Sequence, residues 1–71
     1  MSWNYRLVKT ENTISFREVY YDSQGNIKMW TERDVAPAAE SVEELRNMTS
    51  AAFKKPVLVE RDKKLEEEHV T

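Results

Sequence analysis

The sequence predicts an α+β fold, in which one helix packs on a face of a three-stranded antiparallel meander (β-β-β-α). Two observations predict the central hairpin. Residues 14–21 and 27–33 are rich in β-branched and aromatic residues, and between them lies Asp22-Ser23-Gln24-Gly25. That tetrapeptide has the chemistry of a type I turn, in which the chain's single glycine takes a left-handed conformation and closes a bulged hairpin. The third observation is a capped, amphipathic helix pattern after residue 40.

A first strand is predicted over residues 3–9, where Trp3, Tyr5 and Leu7 alternate with polar side chains. Asn12 tolerates a left-handed turn position, so this strand should fold back onto the second. The register of the central hairpin stays open, because a slip of one residue inverts every side chain. In either register both faces carry large apolar groups. One face should therefore pack against the helix, and the other should be partly covered.

The helix should begin at Ser41, the first residue of the capping box Ser41-Val42-Glu43-Glu44. The Ser41 hydroxyl can accept a hydrogen bond from the Glu44 amide, and Pro56 ends the helix. The run 57–59 favours a strand, and a short fourth strand at an edge of the sheet is an open alternative. Apolar residues at spacings of three and four form the stripe that should face the sheet: Val42, Leu45, Met48, Ala52 and Phe53.

The charge distribution divides the chain into a single domain over residues 1–59 and a charged tail over residues 60–71. The net charge is −2, and residues 60–71 hold five acids and three bases, which leaves eight of each sign in residues 1–59. We expect the tail to be disordered, with a helix that orders on a partner as the alternative. A neutral body argues against binding to a nucleic-acid backbone, which needs a basic face.

The composition predicts a soluble, cytoplasmic protein with a small core. Seventy-one residues allow one domain, and the absence of cysteine excludes disulfides and thiolate metal sites. There is no signal-like start and no apolar run of the ~20 residues that span a bilayer, so no membrane partner is expected. A domain of this size is marginally stable unless it is oligomeric.

The sequence predicts no enzyme. The only histidine, His69, lies in the charged tail, and a single glycine cannot form a glycine-rich phosphate loop. Glu18 and Glu32 are a candidate carboxylate pair across the hairpin, although alternating charges on a hairpin more often form a solvated face. No metal-ligand spacing is present. We expect no cofactor, no metal and no small-molecule substrate.

Two segments of the chain resemble known proteins. Trp3-Asn4-Tyr5-Arg6 and Glu18-Val19-Tyr20-Tyr21-Asp22, followed by Gly25 and Trp30-Thr31-Glu32, resemble a group of small uncharacterised bacterial proteins over residues 3–59. More distantly, the order of three strands, a capped helix and a short strand is similar to the HicB-type antitoxin domain, a degraded RNase-H-like fold. In that domain a hairpin with an acidic-glycine turn precedes a Ser/Thr-x-x-Glu helix, as residues 41–44 do here. No helix-turn-helix or ribbon-helix-helix module follows, so the resemblance does not imply DNA binding or toxin neutralisation.

The aromatic residues on the predicted strands are the informative group for function. They can form the core of a small domain, anchor a protein interface or stack single-stranded RNA on an open sheet. The strands offer more apolar side chains than one short helix can cover, so we predict a non-catalytic protein–protein interaction domain. Self-association is the first candidate, antitoxin-like regulation of a partner is a narrower version, and single-stranded RNA binding is the alternative. Trp30 or Tyr20 should lie near the centre of the surface, whose candidate residues are Trp3, Tyr5, Phe16, Arg17, Tyr20, Tyr21 and Trp30.

Overall fold

A computed structural model describes residues 2–68, which form a five-stranded mixed sheet and one helix. The α+β class is confirmed, and the predicted meander forms its first three strands. The fourth strand left open by the sequence is present and pairs in parallel with the first. It lies inside the sheet and not at an edge, because a fifth strand that was not predicted follows it. The strand order is β3-β2-β1-β4-β5. The elements are β1 (Ser2–Lys9), β2 (Ile14–Tyr21), β3 (Ile27–Trp30), α1 (Val42–Lys54), β4 (Leu58–Arg61) and β5 (Lys64–Glu67).

The turn between β2 and β3 has the predicted chemistry. Gly25 has a φ of +84°, and its amide donates to the Asp22 carbonyl at 3.1 Å. The Asp22 carboxylate accepts from the amides of Gln24 at 2.9 Å and Asn26 at 3.0 Å. All of these bonds lie within residues 22–26, so the residue types of the turn itself specify the chain reversal.

A bulge after this turn decides the register that the sequence left open. Tyr21 lies opposite Ile27, whereas Tyr20 lies opposite Met29, so Lys28 is the extra residue. Because side chains alternate along each strand, Tyr20 and Met29 share one face of the sheet. Tyr21 and Ile27 lie on the other.

The boundary predicted at residue 60, between a folded domain and a disordered tail, is wrong. β4 pairs in parallel with β1, where Val8 lies opposite Leu58, and in antiparallel with β5. Residues 60–67 are therefore part of a β-hairpin and not a disordered tail. Its turn residues Asp62 and Lys63 both have positive φ, 50° and 62°, the geometry of a tight two-residue hairpin turn. Residues 69–71 of the predicted tail lie outside the described residues.

The hydrophobic core lies on one face of the sheet, which we call the core face. Val8, Val19 and Leu58 are fully buried there. Their burial shows that this face is closed to water although α1 lies elsewhere. The half-buried apolar residues that pack against them are Tyr21, Ile27, Trp30 and Leu65.

Two arginines extend the core face beyond the apolar cluster. Arg6 and Arg17 lie opposite each other in register and are only 5% and 4% exposed. The Arg6 guanidinium donates to the Tyr21 hydroxyl at 3.0 Å and to the Pro56 carbonyl at 2.7 Å. Arg17 donates to the Thr31 carbonyl at 2.9 Å. Backbone and hydroxyl acceptors therefore bind part of each guanidinium. Arg17 also forms an ion pair with Asp34 at 3.6 Å, whereas the buried Arg6 Nε has no partner among the described residues.

Helix α1 lies over β1 on the opposite face, which we call the helix face. The predicted cap is present, because the Ser41 hydroxyl accepts from the Glu44 amide at 3.1 Å. The Phe53 ring meets Phe16 of β2 edge to face, with centroids 5.8 Å apart. No helix in residues 2–68 is long and apolar enough to cross a membrane.

The helix buries less of its apolar stripe than the spacing predicted. Only Thr49 and Ala52 of α1 are buried, while Val42 and Phe53 remain 73% and 68% exposed. A helix placed over β1 leaves Trp3 at the start of that strand, Ile14 of β2 and Met29 of β3 about half exposed. The fold therefore keeps part of the helix face open.

Candidate protein-interaction surface

The open part of the helix face carries a row of large side chains across three strands. Trp3 lies opposite Tyr20, and Tyr20 lies opposite Met29. Tyr5 is two residues along β1 from Trp3 and shares its face. We call Trp3, Tyr5, Tyr20 and Met29 the aromatic patch. Trp3 is 48% exposed and Met29 is 53% exposed, so the row is accessible to another molecule.

Three rings of the aromatic patch pack against one another. The Trp3 and Tyr5 centroids are 5.2 Å apart with their planes at 85°, and the Trp3 and Tyr20 centroids are 6.0 Å apart at 32°. Both separations lie within the range in which aromatic pairs attract. The side chains are therefore held in place before any partner binds, which lowers the entropy lost on binding.

One carboxylate lies inside the patch. Glu18 is opposite Tyr5 in register, and its Oε1 accepts a hydrogen bond from the Tyr20 hydroxyl at 2.6 Å. This hydrogen bond, with burial and the negative charge of Glu18, raises the pKa of Tyr20. Within the described part of the chain, Glu18 forms no ion pair.

The structure divides the seven predicted interaction residues between two faces. Trp3, Tyr5 and Tyr20 come together in the aromatic patch, and Phe16 lies on the same face against Phe53 of the helix. The remaining three lie on the core face, where Arg17 is buried and the other two pack on the apolar cluster: Arg17, Tyr21 and Trp30. Of the two residues predicted near the centre of the surface, only Tyr20 belongs to the patch.

Sequence reasoning missed two residues of the surface, Glu18 and Met29. Met29 joins the patch because the bulge at Lys28 shifts it opposite Tyr20. Glu18 was considered as a solvated hairpin charge or as one of a carboxylate pair. In the structure it bonds to Tyr20, and its proposed partner Glu32 is exposed in the segment after β3. Glu18 lies two residues from both Phe16 and Tyr20 along β2. This spacing was the signal in the sequence that the three side chains share one face.

The chemistry of the described residues offers no metal site. No group of three or more histidine, cysteine, aspartate or glutamate side chains in residues 2–68 could hold an ion. His69 lies outside this range. That the protein is not an enzyme stays a prediction from the sequence. The chemical groups that the surface presents are aromatic rings, a thioether and one carboxylate.

The two edges of the sheet are poor places for another strand to add. β3 and β5 have four residues each, and β3 carries Lys28 at a bulge. β5 carries Lys64, Glu66 and Glu67 on its short length. Short, bulged and charged edges resist edge-to-edge pairing. Contact with another protein is therefore better served by the open face than by an edge.

No model of a known protein family, no curated protein and no solved structure matches this chain. The resemblance to HicB-type antitoxin domains and to the small bacterial group accordingly stays a prediction. The function has to be argued from the residues and their geometry.

Proposed function

We propose that this chain is a non-catalytic protein–protein interaction domain whose contact surface is the aromatic patch. The observation that carries the proposal is the row Trp3–Tyr20–Met29, which crosses three strands on the part of the helix face that α1 leaves open. Tryptophan and tyrosine are the residues that most often anchor protein interfaces. The rings of Trp3, Tyr5 and Tyr20 already pack together, and this suits the patch to the role of an anchor.

A second copy of the chain is the first candidate for the partner. Val8, Val19 and Leu58 are the largest fully buried side chains, and a domain below about 70–80 residues gains only a few kcal/mol from such a core. A dimer would bury the patch and add stability to each copy. The net charge of only −2 also keeps the repulsion between two copies small.

Regulation of a different protein, in an antitoxin-like manner, is the narrower version of this proposal. Its support is the order of elements, in which a hairpin with the Asp22–Gly25 turn precedes a helix capped by Ser41. The same patch would then bind the regulated protein. A second copy and a different protein are distinguished by whether the purified chain associates alone.

Single-stranded RNA binding is the alternative, and the charges of the open face disfavour it. The patch holds the carboxylate of Glu18, whereas Arg6 and Arg17 are buried on the core face. Lys9 shares the helix face, but its amine lies 3.4 Å from the Glu68 carboxylate. Proteins that bind single-stranded nucleic acid by stacking its bases combine aromatic rings with a basic groove that follows the phosphates. A single-stranded RNA oligonucleotide should therefore leave the tryptophan fluorescence of the purified protein unchanged.

Sedimentation equilibrium at micromolar concentrations tests the proposal. We expect a reversible dimer for the wild type and a shift towards monomer for Trp3→Ala, because that change removes the exposed tryptophan of the patch. Val42→Ala is the matched control, since Val42 is an exposed apolar residue of α1 outside the patch, and it should sediment as the wild type does. A monomeric wild type would exclude self-association, and equal weakening by both variants would place the interface elsewhere.

A further inference from the structure

We infer that the aromatic patch receives a cationic side chain, arginine or lysine, from its protein partner. This inference rests on the proposed function and adds the chemistry that the partner must present. Three features carry it: the exposed ring system, the carboxylate within it, and the openness of the surface. These features are the same whether a second copy of the chain or a different protein supplies the cation.

The ring system offers the negative faces that attract cations. Trp3 is about half exposed, and tryptophan is the aromatic side chain that binds cations most strongly. The planes of Trp3 and Tyr5 stand at 85°, so the two rings present their faces in different directions around one place on the sheet. Tyr20 lies next to Trp3 across the strands. A cation bound at Trp3 therefore has two further rings nearby, because the Tyr5 and Tyr20 centroids lie 5.2 and 6.0 Å from that of Trp3.

Glu18 supplies the countercharge. It is half-buried, its Oε1 is bonded to the Tyr20 hydroxyl, and its Oε2 has no hydrogen-bond partner in the described part of the chain. No lysine or arginine of residues 2–68 forms an ion pair with it. A guanidinium is planar and carries several donors, so it can stack on an indole while it donates to a carboxylate. The patch holds both acceptors of such a group and lacks the group itself.

The chain's own bases do not fill this place. Lys28 lies at the bulge beside Met29, and Lys55 borders a shallow cleft that also includes Trp3. Neither forms an ion pair with Glu18, and the ring contacts found among the described residues are aromatic pairs. The nearby lysines would weaken the attraction without occupying the site. Lys55→Gln should therefore strengthen cation binding.

The openness of the patch favours a protein-borne cation over a small free molecule. Small ligands bind in concave sites that enclose most of their surface. The row Trp3–Tyr20–Met29 crosses the sheet on an exposed face and encloses nothing. A side chain delivered by a docking protein needs no enclosure, because the surrounding contacts share the entropy cost.

Nuclear magnetic resonance of the nitrogen-15-labelled chain, residues 1–71, tests the inference. The probe is N-acetyl-arginine amide, and the matched neutral compound is N-acetyl-citrulline amide, which has nearly the same shape. Trp3 and Trp30 lie on opposite faces, so the two indole signals report on the patch and on an internal control. We expect saturable shifts at Trp3, but not at Trp30, in the millimolar range, with the citrulline compound about three- to tenfold weaker.

Glu18→Gln is the deciding variant. It keeps an acceptor for the Tyr20 hydroxyl but removes the charge, so arginine binding should weaken about three- to tenfold while the fold is retained. Glu32→Gln is the control, because Glu32 is exposed outside the patch. If the wild type dimerises, the arginine compound should dissociate the dimer at lower concentration than the citrulline compound does.

Equal shifts with both compounds, shifts at Trp30 in place of Trp3, or unchanged binding by Glu18→Gln would overturn the inference. Sedimentation separates these outcomes from the proposed function. A dimer that Trp3→Ala disrupts but Glu18→Gln does not would leave the interaction surface standing without a cation. A monomer that binds the arginine compound through Glu18 would keep the cation and exclude the second copy as partner.

Discussion

The Trp30 indole N–H donates to the Glu60 carboxylate at 2.6 Å and so joins two strands that are not neighbours. Trp30 ends β3 and Glu60 lies in β4, with β2 and β1 between them. In a flat sheet these strands would be about 14 Å apart, at three strand spacings. The sheet is therefore curled around its core face, and Trp30 helps to close it. This explains why Val8 and Val19 are buried on a face without a helix.

Removal of this bond should open the curl. Glu60→Ala should lower the free energy of unfolding by about 2 kcal/mol, because the bond is made to a charged group and its loss leaves the indole N–H unpaired. Urea denaturation followed by tryptophan fluorescence measures it. Glu66→Ala is the matched control on β5, where Glu66 is exposed, and should change stability by less than about 0.5 kcal/mol. Equal effects would mean that the bond does not contribute to stability.

The β4–β5 hairpin should contribute to stability through Leu65. Leu65 is half-buried and packs on the cluster of Val8, Val19 and Leu58. Leu65→Ala should therefore cost about 1–2 kcal/mol, less than the 2–5 kcal/mol of a fully buried leucine. Thermal unfolding of this variant beside Lys64→Ala, an exposed neighbour, provides the comparison. An unchanged melting midpoint for Leu65→Ala would support the disordered tail that the sequence alone predicted.

The β2–β3 turn should lose stability only in acid. The amides of Asn26 and Gln24 hold the pKa of Asp22 below its ordinary value of 3.8. A carboxyl group whose pKa is lowered by folding stabilises the fold fully above its unfolded pKa, and this contribution disappears as the pH falls through the lowered value. Asp22→Asn keeps an acceptor but does not titrate, so its unfolding should depend less on pH below about 4. Parallel acid titrations of both proteins would show two superimposable curves if the turn carboxylate were not involved.

Local chemistry explains what could be predicted from the sequence. The Asp22–Gly25 turn and the Ser41 cap depend on residues within a few positions, and both form as their residue types require. The face that each strand residue occupies could not be predicted, because one bulged residue, Lys28, decides it. For this reason Tyr20 and Trp30, the two alternatives predicted for the centre of the surface, lie on opposite faces.

Long-range contacts explain what the sequence did not reveal. The burial of Arg6 depends on the Pro56 carbonyl, which is 50 residues away along the chain. The hairpin of β4 and β5 was not predicted because its sequence is mostly charged. Leu65 is the only apolar residue of β5, so no alternation of apolar and polar residues marks it as a strand. Its turn, Asp62-Lys63, also lacks the glycine that marks most tight hairpins. The Arg6 contact needs a partner that is distant in sequence, and the hairpin joins the sheet only through β1, which is equally distant.

The parallel pairing of Val8 with Leu58 has a consequence for folding, because it joins two strands that are distant in sequence. The first three strands can meet as soon as they leave the ribosome, because their turns are short. β1 must then wait for some fifty further residues before its second neighbour exists, with one side of its backbone unpaired in the meantime. Until β4 docks, this side of β1 can pair with another chain, so slow docking of β4 would favour aggregation.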